Sequence, residues 1–342
     1  MRLLDMVVQS RDPFIVLPPT RDARQLIVSS PGDFAQSLVQ CPQRYVLADD
    51  LTRACAELAF ADGDRLVGCL DLIRIPAPSL WIEWSDSVHQ EVIARCGVVA
   101  QEDPAAFGRR VGLLLQATPC GRAAVARTFW SAWNAGENCA QMSPLEIHIH
   151  LDEEFEPTGE GVGIFSGGYA RLMDAHHPSV GDLLDRVRFR FDHKWSRYYE
   201  AAASDAATRS AVMRNSLAAV AHDVPLLLAF FLLLNAKGAT RPLPVSRSIL
   251  NRKRLARDRA PLLDHIEVHA SLPPDAPGFN NADADNAGTR RPPRLHHVRG
   301  HLVRREDRVF WRTPHLRGNA LQGVVRSRTV CLSFARAGGL HA

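Results

Sequence analysis

Cysteine pairs, long apolar runs and an apolar N-terminus are all missing from this sequence. No two of its seven cysteines form a Cys-x-x-Cys pair, and their odd number fits neither a disulfide framework nor a zinc site. We therefore expect free thiols in a reducing cytoplasm. The first thirteen residues carry four charges and no long apolar core, so we predict no signal peptide. The longest apolar run, Val224 to Leu234, is too short to span a bilayer, which predicts a protein without a membrane partner.

The net charge is small but unevenly distributed. The 342 residues are 46% hydrophobic, enough to bury a core in one or two domains, and the formal net charge is +4. From Lys237 onward there are 20 Lys and Arg against 8 Asp and Glu, a balance of +12, whereas residues 1–236 hold 21 against 29, a balance of −8. This asymmetry favours an anionic partner for the last third of the chain, although a basic surface that only aids solubility explains the same counts.

Residue periodicity predicts an α+β fold in five segments. Residues 1–175 form a mixed α+β body, and residues 176–240 form a central helical core. Residues 241–270 form a basic helix and a strand, and residues 271–293, rich in Pro, Asn, Asp and Gly, form a flexible loop. Residues 294–336 form a basic antiparallel β-meander, which we expect to pack on the body because it has little core of its own.

Within the body, Asp49 to Ala61 has the apolar spacing of a helix. A proline-led segment, Ile75 to Trp84, reads as a strand in which Trp81 serves as a core anchor rather than a ligand platform. Further strands are predicted at Asp64–Ile73, Arg110–Ala117, Val125–Trp133 and Leu145–Leu151. A glycine-rich stretch, 158–168, lacks the Lys-Ser/Thr of a phosphate loop and predicts a hairpin turn.

The alternating run at residues 145–152 places Glu146, His148, His150 and Asp152 on one face of a strand. A pair of histidines beside a carboxylate is able to bind a transition metal, which makes His148 and His150 metal-ligand candidates. A polar face turned to solvent explains the same pattern, and no third ligand can be fixed. We therefore expect neither a metal site nor a cofactor.

The central segment has two helical patterns. Val180, Leu183, Leu184, Val187 and Phe191 recur at three and four residues, which predicts an amphipathic helix. The run 224–235 is apolar on nearly every side and predicts a helix in the middle of a core, ending before Gly238.

A basic segment then begins at Arg247. Its predicted helix carries Arg247, Arg252, Lys253 and Arg254, with Ile249, Leu250 and Leu255 as apolar contacts. Such a helix is typical of an element that contacts a nucleic-acid backbone, and a solvated charged helix is the alternative. A strand is predicted to follow at 262–269.

In the predicted meander, a run at 295–304 turns back into a second run at 308–312, and a third follows at 324–334. Alternation places His297, Arg299 and His301 on one face of the first run and His296 on the other. The anion-binding residues that we predict in this segment are Arg294, Arg299, His301, Arg304, Arg312, His315 and Arg317. So many cations at close quarters repel one another unless an anion, an RNA backbone or an acidic peptide lies among them.

Two short motifs resemble a protein family spread through phages, prophages and other mobile elements. They are Leu243-Pro-Val-Ser-Arg247 and Arg299-Gly-His301, and they follow a proline-led Trp-containing strand and an apolar helix in the family's order. The family includes the type V-A anti-CRISPR protein that lowers effector levels during translation. This chain departs from that protein at Val298, where the anti-CRISPR protein has an extra Arg.

The resemblance implies recognition of a nascent polypeptide at the translating ribosome and loss of the corresponding messenger RNA, with a host nuclease as a further partner. It supplies no catalytic residues. Two alternatives remain open: a metal-independent ribonuclease that uses His296, His301 and His315 as acid and base, and a non-catalytic interaction protein that uses the meander for dimer contact.

Overall fold

The computed structural model describes residues 2–10, 15–16, 26–27, 30–61, 63–97, 109–134, 137–152, 186–196, 205, 207–208, 212, 216–217, 220–271, 294–298, 301–305, 308–312 and 315–324. It contains helices together with a large mixed sheet, so the predicted α+β class is confirmed. The chain divides into two compact units. The first is Met1–Ser271 with Arg304–Val309, and the second is Leu272–Val303 with Phe310–Ala342.

Eight strands form the large sheet of the first unit, in the order β8-β7-β6-β5-β4-β3-β10-β9. Their bounds are β3 Gln43–Leu47, β4 Ser79–Ser85, β5 Arg110–Ala117, β6 Ala123–Asn134, β7 Glu137–His150, β8 Val187–Phe191, β9 Thr240–Val245 and β10 His265–Ala270. Strand β3 pairs in parallel with β4 and with β10, whereas the other neighbours in this sheet are antiparallel. Two short strands, β1 Ile15–Val16 and β2 Leu26–Ile27, pair separately. The strands predicted from residues 75–84, 110–117, 125–133, 145–151 and 262–269 are thereby confirmed.

Helices cover both faces of this sheet. Their bounds are α1 Leu3–Gln9, α2 Ala35–Gln40, α3 Asp49–Phe60, α4 Gly63–Val67, α5 Asp86–Arg95, α6 Asp223–Asn235 and α7 Ser248–Leu255. Helix α3 packs against α5 and α6, and α1 packs against β4, β5, β6 and β7. Alternate side chains of β4 point to opposite faces of the sheet. Trp84 contacts His89 of α5, whereas Trp81 contacts Phe129 of β6.

Helix α6 is the centre of one layer. Every residue from Val224 to Leu233 is buried, and Phe230 contacts Tyr45 of β3 with ring centroids 5.6 Å apart. A helix that is apolar all round is stable only when other elements surround it, so the prediction of a buried core helix is confirmed. Among the described residues, no helix has both the length and the apolar content that a membrane crossing requires.

Residues Asp64–Ile73 are not a strand, contrary to the prediction. They form α4, after which the Gly68 amide donates to the Asp64 carbonyl, and a 3-10 turn at Leu70–Leu72, where the Ile73 amide donates to the Leu70 carbonyl. The Arg122 guanidinium donates to the carbonyls of Leu70 and Ile73, at 2.9 and 2.6 Å. A residue some fifty positions away thus satisfies the carbonyls that a sheet partner would otherwise bind.

The helix predicted to reach Phe191 is also wrong in its last turn. Residues Val187–Phe191 form β8, whose Val187, Phe189 and Phe191 are all buried. These residues lie opposite the apolar side chains of β7, with Phe189 facing Ile147. The run therefore follows the two-residue period of a strand, because an apolar sheet edge is available to receive it. Residues 181–185 lie outside the described part of the chain.

The C-terminal strands differ from a simple meander. Their bounds are β11 Arg294–Val298, β12 His301–Arg305, β13 Arg308–Arg312, β14 His315–Arg317 and β15 Asn319–Val324. The predicted first run is divided between β11 and β12, which belong to different sheets. Strand β11 pairs antiparallel with β14 but parallel with β15, and β12 pairs with β13. The predicted loop from 272 to 293, the hairpin at 158–168 and the run beyond 324 lie outside the described residues.

Candidate nucleic-acid interface

Helix α7 and the turn that follows it carry the exposed cations of the predicted basic segment. None of its residues is buried, and Arg252 and Lys253 both face solvent. The turn that follows reverses at Asp258, whose φ of 52° is in the left-handed region, and it exposes Arg257 and Arg259. Within the described residues, none of these four cations lies within 4.0 Å of a carboxylate oxygen. Helix α7 and this turn therefore present positive charge that no described carboxylate neutralises.

Polar contacts with the following turn hold α7 in place. The Asn251 side chain donates to the Leu262 carbonyl and accepts from the Leu262 amide, both at 2.8 Å. The Arg254 guanidinium donates to the Ala260 carbonyl at 2.8 Å. An isolated eight-residue helix is marginal in water, so these bonds are what fix it. Arg254 is thereby engaged within the segment, whereas its neighbours Arg252 and Lys253 project away.

Arg247 does not share the exposed surface of α7. Its side chain is half-buried, and its amide donates to the Asp264 carboxylate. Its charge acts on two buried groups, Asp5 and His265. Burial is the main reason that the pKa of Asp5 is raised and that of His265 is lowered. The positive charge of Arg247 opposes the rise at Asp5 and adds to the decrease at His265. We therefore separate Arg247 from the cations available to an anionic partner.

Strand β9, which leads into α7, is the last strand at one edge of the large sheet. Pro242 and Pro244 lie opposite Val268 and Ile266 of β10, and as prolines they have no amide N–H. An incoming strand would find carbonyls but no donors at these two positions. Recognition at this edge therefore depends on side chains rather than on added backbone pairing.

The apolar residues of α7 have a different position from the one predicted. Ile249, Leu250 and Leu255 were expected to make apolar contacts within the protein, but they are 66%, 42% and 59% exposed. Sequence spacing located the helix correctly, and it did not reveal that these three side chains are left exposed. The exposed aliphatic side chains are thus part of the same surface as the cations.

The remaining predicted cations fall into three groups. Arg312 at the end of β13 and Arg317 in β14 are exposed, and within the described residues neither is near a carboxylate. Arg304 is engaged by the protein, because its guanidinium binds both carboxylate oxygens of Asp71, at 2.9 and 2.7 Å. Arg294 lies opposite Asn319 in the β11–β15 pair, and Arg299 lies outside the described residues.

The three histidines of the ribonuclease hypothesis do not lie on one pair of strands. His296 in β11 faces Arg317 of β14, and His315 in β14 faces Val298 of β11. His301 begins β12, which belongs to the other small sheet. The backbone register thus brings His296 and His315 to neighbouring strands, and the acid–base assignment stays a prediction.

The face that carries His148 and Glu146 is an ion-pair network. The Glu146 carboxylate accepts from Arg127 and Arg190 and lies 3.4 Å from the His148 ring, and its pKa is lowered to about 2. Burial alone would raise that pKa, so the hydrogen bonds and the two guanidinium charges outweigh it. Among the described residues no group of three or more His, Cys, Asp or Glu side chains has a metal-binding arrangement.

Sequence reasoning missed a buried carboxylate that anchors the N-terminal helix. Glu83 of β4 is fully buried and accepts from the amides of Leu3 and Leu4, each at 3.1 Å, and from the Trp81 indole at 3.3 Å. The Arg110 guanidinium completes the site as an ion pair. The available signal was strand alternation, which placed Glu83 on the same face as the core residue Trp81.

No protein-family model, no curated protein and no solved structure matches this chain. The functional conclusions that follow therefore rest on the sequence motifs, on the residues and on their geometry.

Proposed function

We propose that this protein is a phage- or mobile-element-encoded, anti-CRISPR-like binding protein of the cytoplasm. In this proposal it recognises a polypeptide during translation and lowers the corresponding messenger RNA, and its basic C-terminal third contacts RNA or the ribosome. The binding role assigns no catalytic residue to this chain. In this proposal a host nuclease therefore degrades the messenger RNA.

One observation carries the proposal. Eight exposed cations of the C-terminal third have no carboxylate within 4.0 Å among the described residues, and six of them follow Arg247 in the chain. We call these six the open cations: Arg252, Lys253, Arg257, Arg259, Arg312 and Arg317. Guanidinium groups grip phosphate oxygens in pairs, and every phosphate that they neutralise releases counterions. Such cations, four in the first unit and two in the second, each favour contact with an anionic polymer.

The direct test is the salt dependence of RNA binding. Single-stranded RNA is titrated with protein over a series of salt concentrations, and log K is plotted against log salt. Three double variants are compared: R252A/K253A, R312A/R317A and, as a control, R53A/R95A. The control removes two exposed arginines that pair with carboxylates of α3 and α5. A variant that loses two phosphate contacts lowers the slope by about 1.4.

We expect at least one of the two test variants to show a lower slope and weaker binding than the wild type. The control should change neither the slope nor the affinity. Equal slopes and affinities in all three variants would overturn the electrostatic part of the proposal. The translational part has its own test, which is capture of tagged protein from translating cells with and without puromycin. Enrichment of particular messages that disappears with puromycin supports nascent-chain recognition, and recovery that is indifferent to puromycin contradicts it.

A further inference from the structure

Exposed aliphatic side chains are concentrated in one short segment of the first unit. Five large hydrophobic side chains are exposed among the described residues, and four of them lie between positions 243 and 255. These four are Leu243, Ile249, Leu250 and Leu255, exposed by 41%, 66%, 42% and 59%. Scattered exposed apolar residues are normal in a folded protein, whereas a cluster marks an interaction surface.

Helical spacing interleaves this apolar surface with charge. Ile249 precedes Arg252 by three residues and Lys253 by four, so the three side chains share one face of α7. Asn251 lies on the opposite side of the helix, where it binds the Leu262 backbone. The exposed isoleucine is therefore bordered by two open cations on a face that the fold does not cover.

The aliphatic side chains of this surface have no role in RNA binding. Single-stranded RNA is bound chiefly by aromatic rings and cations, and the segment 237–264 supplies cations but contains no Phe, Trp, Tyr or His on which a base could stack. Aliphatic side chains lose unfavourable water contact only against other apolar groups. The two prolines of β9 also remove backbone donors from the adjoining edge, so an added strand is not the mode of binding.

We infer that the exposed face of α7 formed by Ile249 and Leu250 with Arg252 and Lys253 binds an acidic polypeptide segment that carries apolar side chains. Carboxylates of the segment pair with the two cations, and its apolar side chains cover the aliphatic ones. The inference rests on the proposed function in one respect, since this segment would be the polypeptide that the protein recognises. RNA contact is then left to other cations of the C-terminal third, among them Arg312 and Arg317.

The test uses three fluorescent probes and the full-length protein. The first is a peptide of alternating Glu and Leu pairs, the second has every Leu replaced by Ser, and the third is oligouridine RNA. We expect the Leu peptide to bind at least tenfold more tightly than the Ser peptide, because covering one large aliphatic side chain already corresponds to that ratio.

Two variants locate the binding. I249S/L250S is expected to abolish the difference between the two peptides, and R252A/K253A to weaken binding of both. The matched control is Val39→Ser, which changes the one exposed large aliphatic residue of the described chain that lies outside the segment. All the altered side chains are exposed, so unfolding midpoints should match the wild type and separate lost binding from lost folding.

Three outcomes would overturn the inference. They are failure of the Leu peptide to bind, equal binding of the two peptides, and a loss of oligouridine binding in I249S/L250S as large as the loss of peptide binding. The last outcome would assign the surface to RNA. Failure of the proposed function is distinguishable, because it would appear as unchanged RNA binding in both R252A/K253A and R312A/R317A and as puromycin-insensitive capture, whatever the peptides do.

Discussion

Replacing Glu83 by Gln should release the N-terminal helix from the sheet. The carboxylate is fully buried and serves four donors: the amides of Leu3 and Leu4, the Trp81 indole and the Arg110 guanidinium. A glutamine of equal size has only one oxygen to accept with, and its NH2 group would face donors. Arg110, whose side chain is 21% exposed, would also lose its countercharge.

The expected cost is about 3 kcal/mol of unfolding free energy, the lower end of what breaking a buried ion pair costs. At about 2 °C per kcal/mol for a unit of this size, the melting temperature falls by about 6 °C. Urea denaturation followed by tryptophan fluorescence measures the change, and Trp81 beside the site is a local reporter. The control, Arg53→Ala, breaks an exposed pair and should leave the midpoint unchanged.

A double variant sharpens this test. Glu83→Gln with Arg110→Met removes both charges, so it should recover part of the stability that Glu83→Gln alone loses. The reasoning is refuted if Glu83→Gln stays within about 0.5 kcal/mol of the wild type, or if the double variant is less stable than the sum of the two single changes.

Two further predictions concern packing and pH. Gly112→Ala should destabilise the protein by about 2 kcal/mol in urea denaturation, because the added Cβ would lie 2.3 Å from the Trp81 indole. In the control, Gly68→Ala, the added Cβ meets nothing closer than 3.4 Å, so this change should cost less. Equal costs would contradict the argument. Burial lowers the pKa of His89 to about 3 and raises the pKa of Asp223 well above 3.8. Because the unfolded histidine takes up a proton that the folded one does not, His89 makes stability fall as pH drops below 6.5. Because the unfolded aspartic acid releases a proton that the folded one keeps, Asp223 makes stability fall as pH rises above 3.8. His89→Gln should therefore lose about 1.4 kcal/mol per pH unit relative to the wild type as pH rises from 4.5 to 6, measured by denaturation at each pH, and parallel curves would refute this.

Local pattern was a reliable guide where one period dominated. The apolar run of α6 and the alternating run of β7 each have a single consistent period, and both elements form where the residues predict. Val187–Phe191 fits both periods, and the partner strand selected the extended form. Residues Asp64–Ile73 have only loose alternation, and in the fold the guanidinium of Arg122 donates to two of their carbonyls.

Predictions about the candidate site divided in the same way. The basic helix between Arg247 and Arg254 forms, because its residues favour helix and no proline interrupts it. Which of its cations remain open depended on neighbours that spacing does not reveal. Arg247 acts on buried Asp5, and Arg304 is occupied by Asp71, more than 230 positions away in the chain.

Composition and periodicity alone determined the α+β class, the buried apolar helix and the concentration of positive charge in the last third, because these follow from residue types taken a few positions at a time. The tertiary structure alone decided which charges are neutralised and which apolar residues stay uncovered. Glu83 meets the Leu3 amide across 80 residues, and Arg2 meets Glu267 across 265. Such pairings depend on strand order and on helix placement, and these fix the distances between groups that the linear sequence keeps apart.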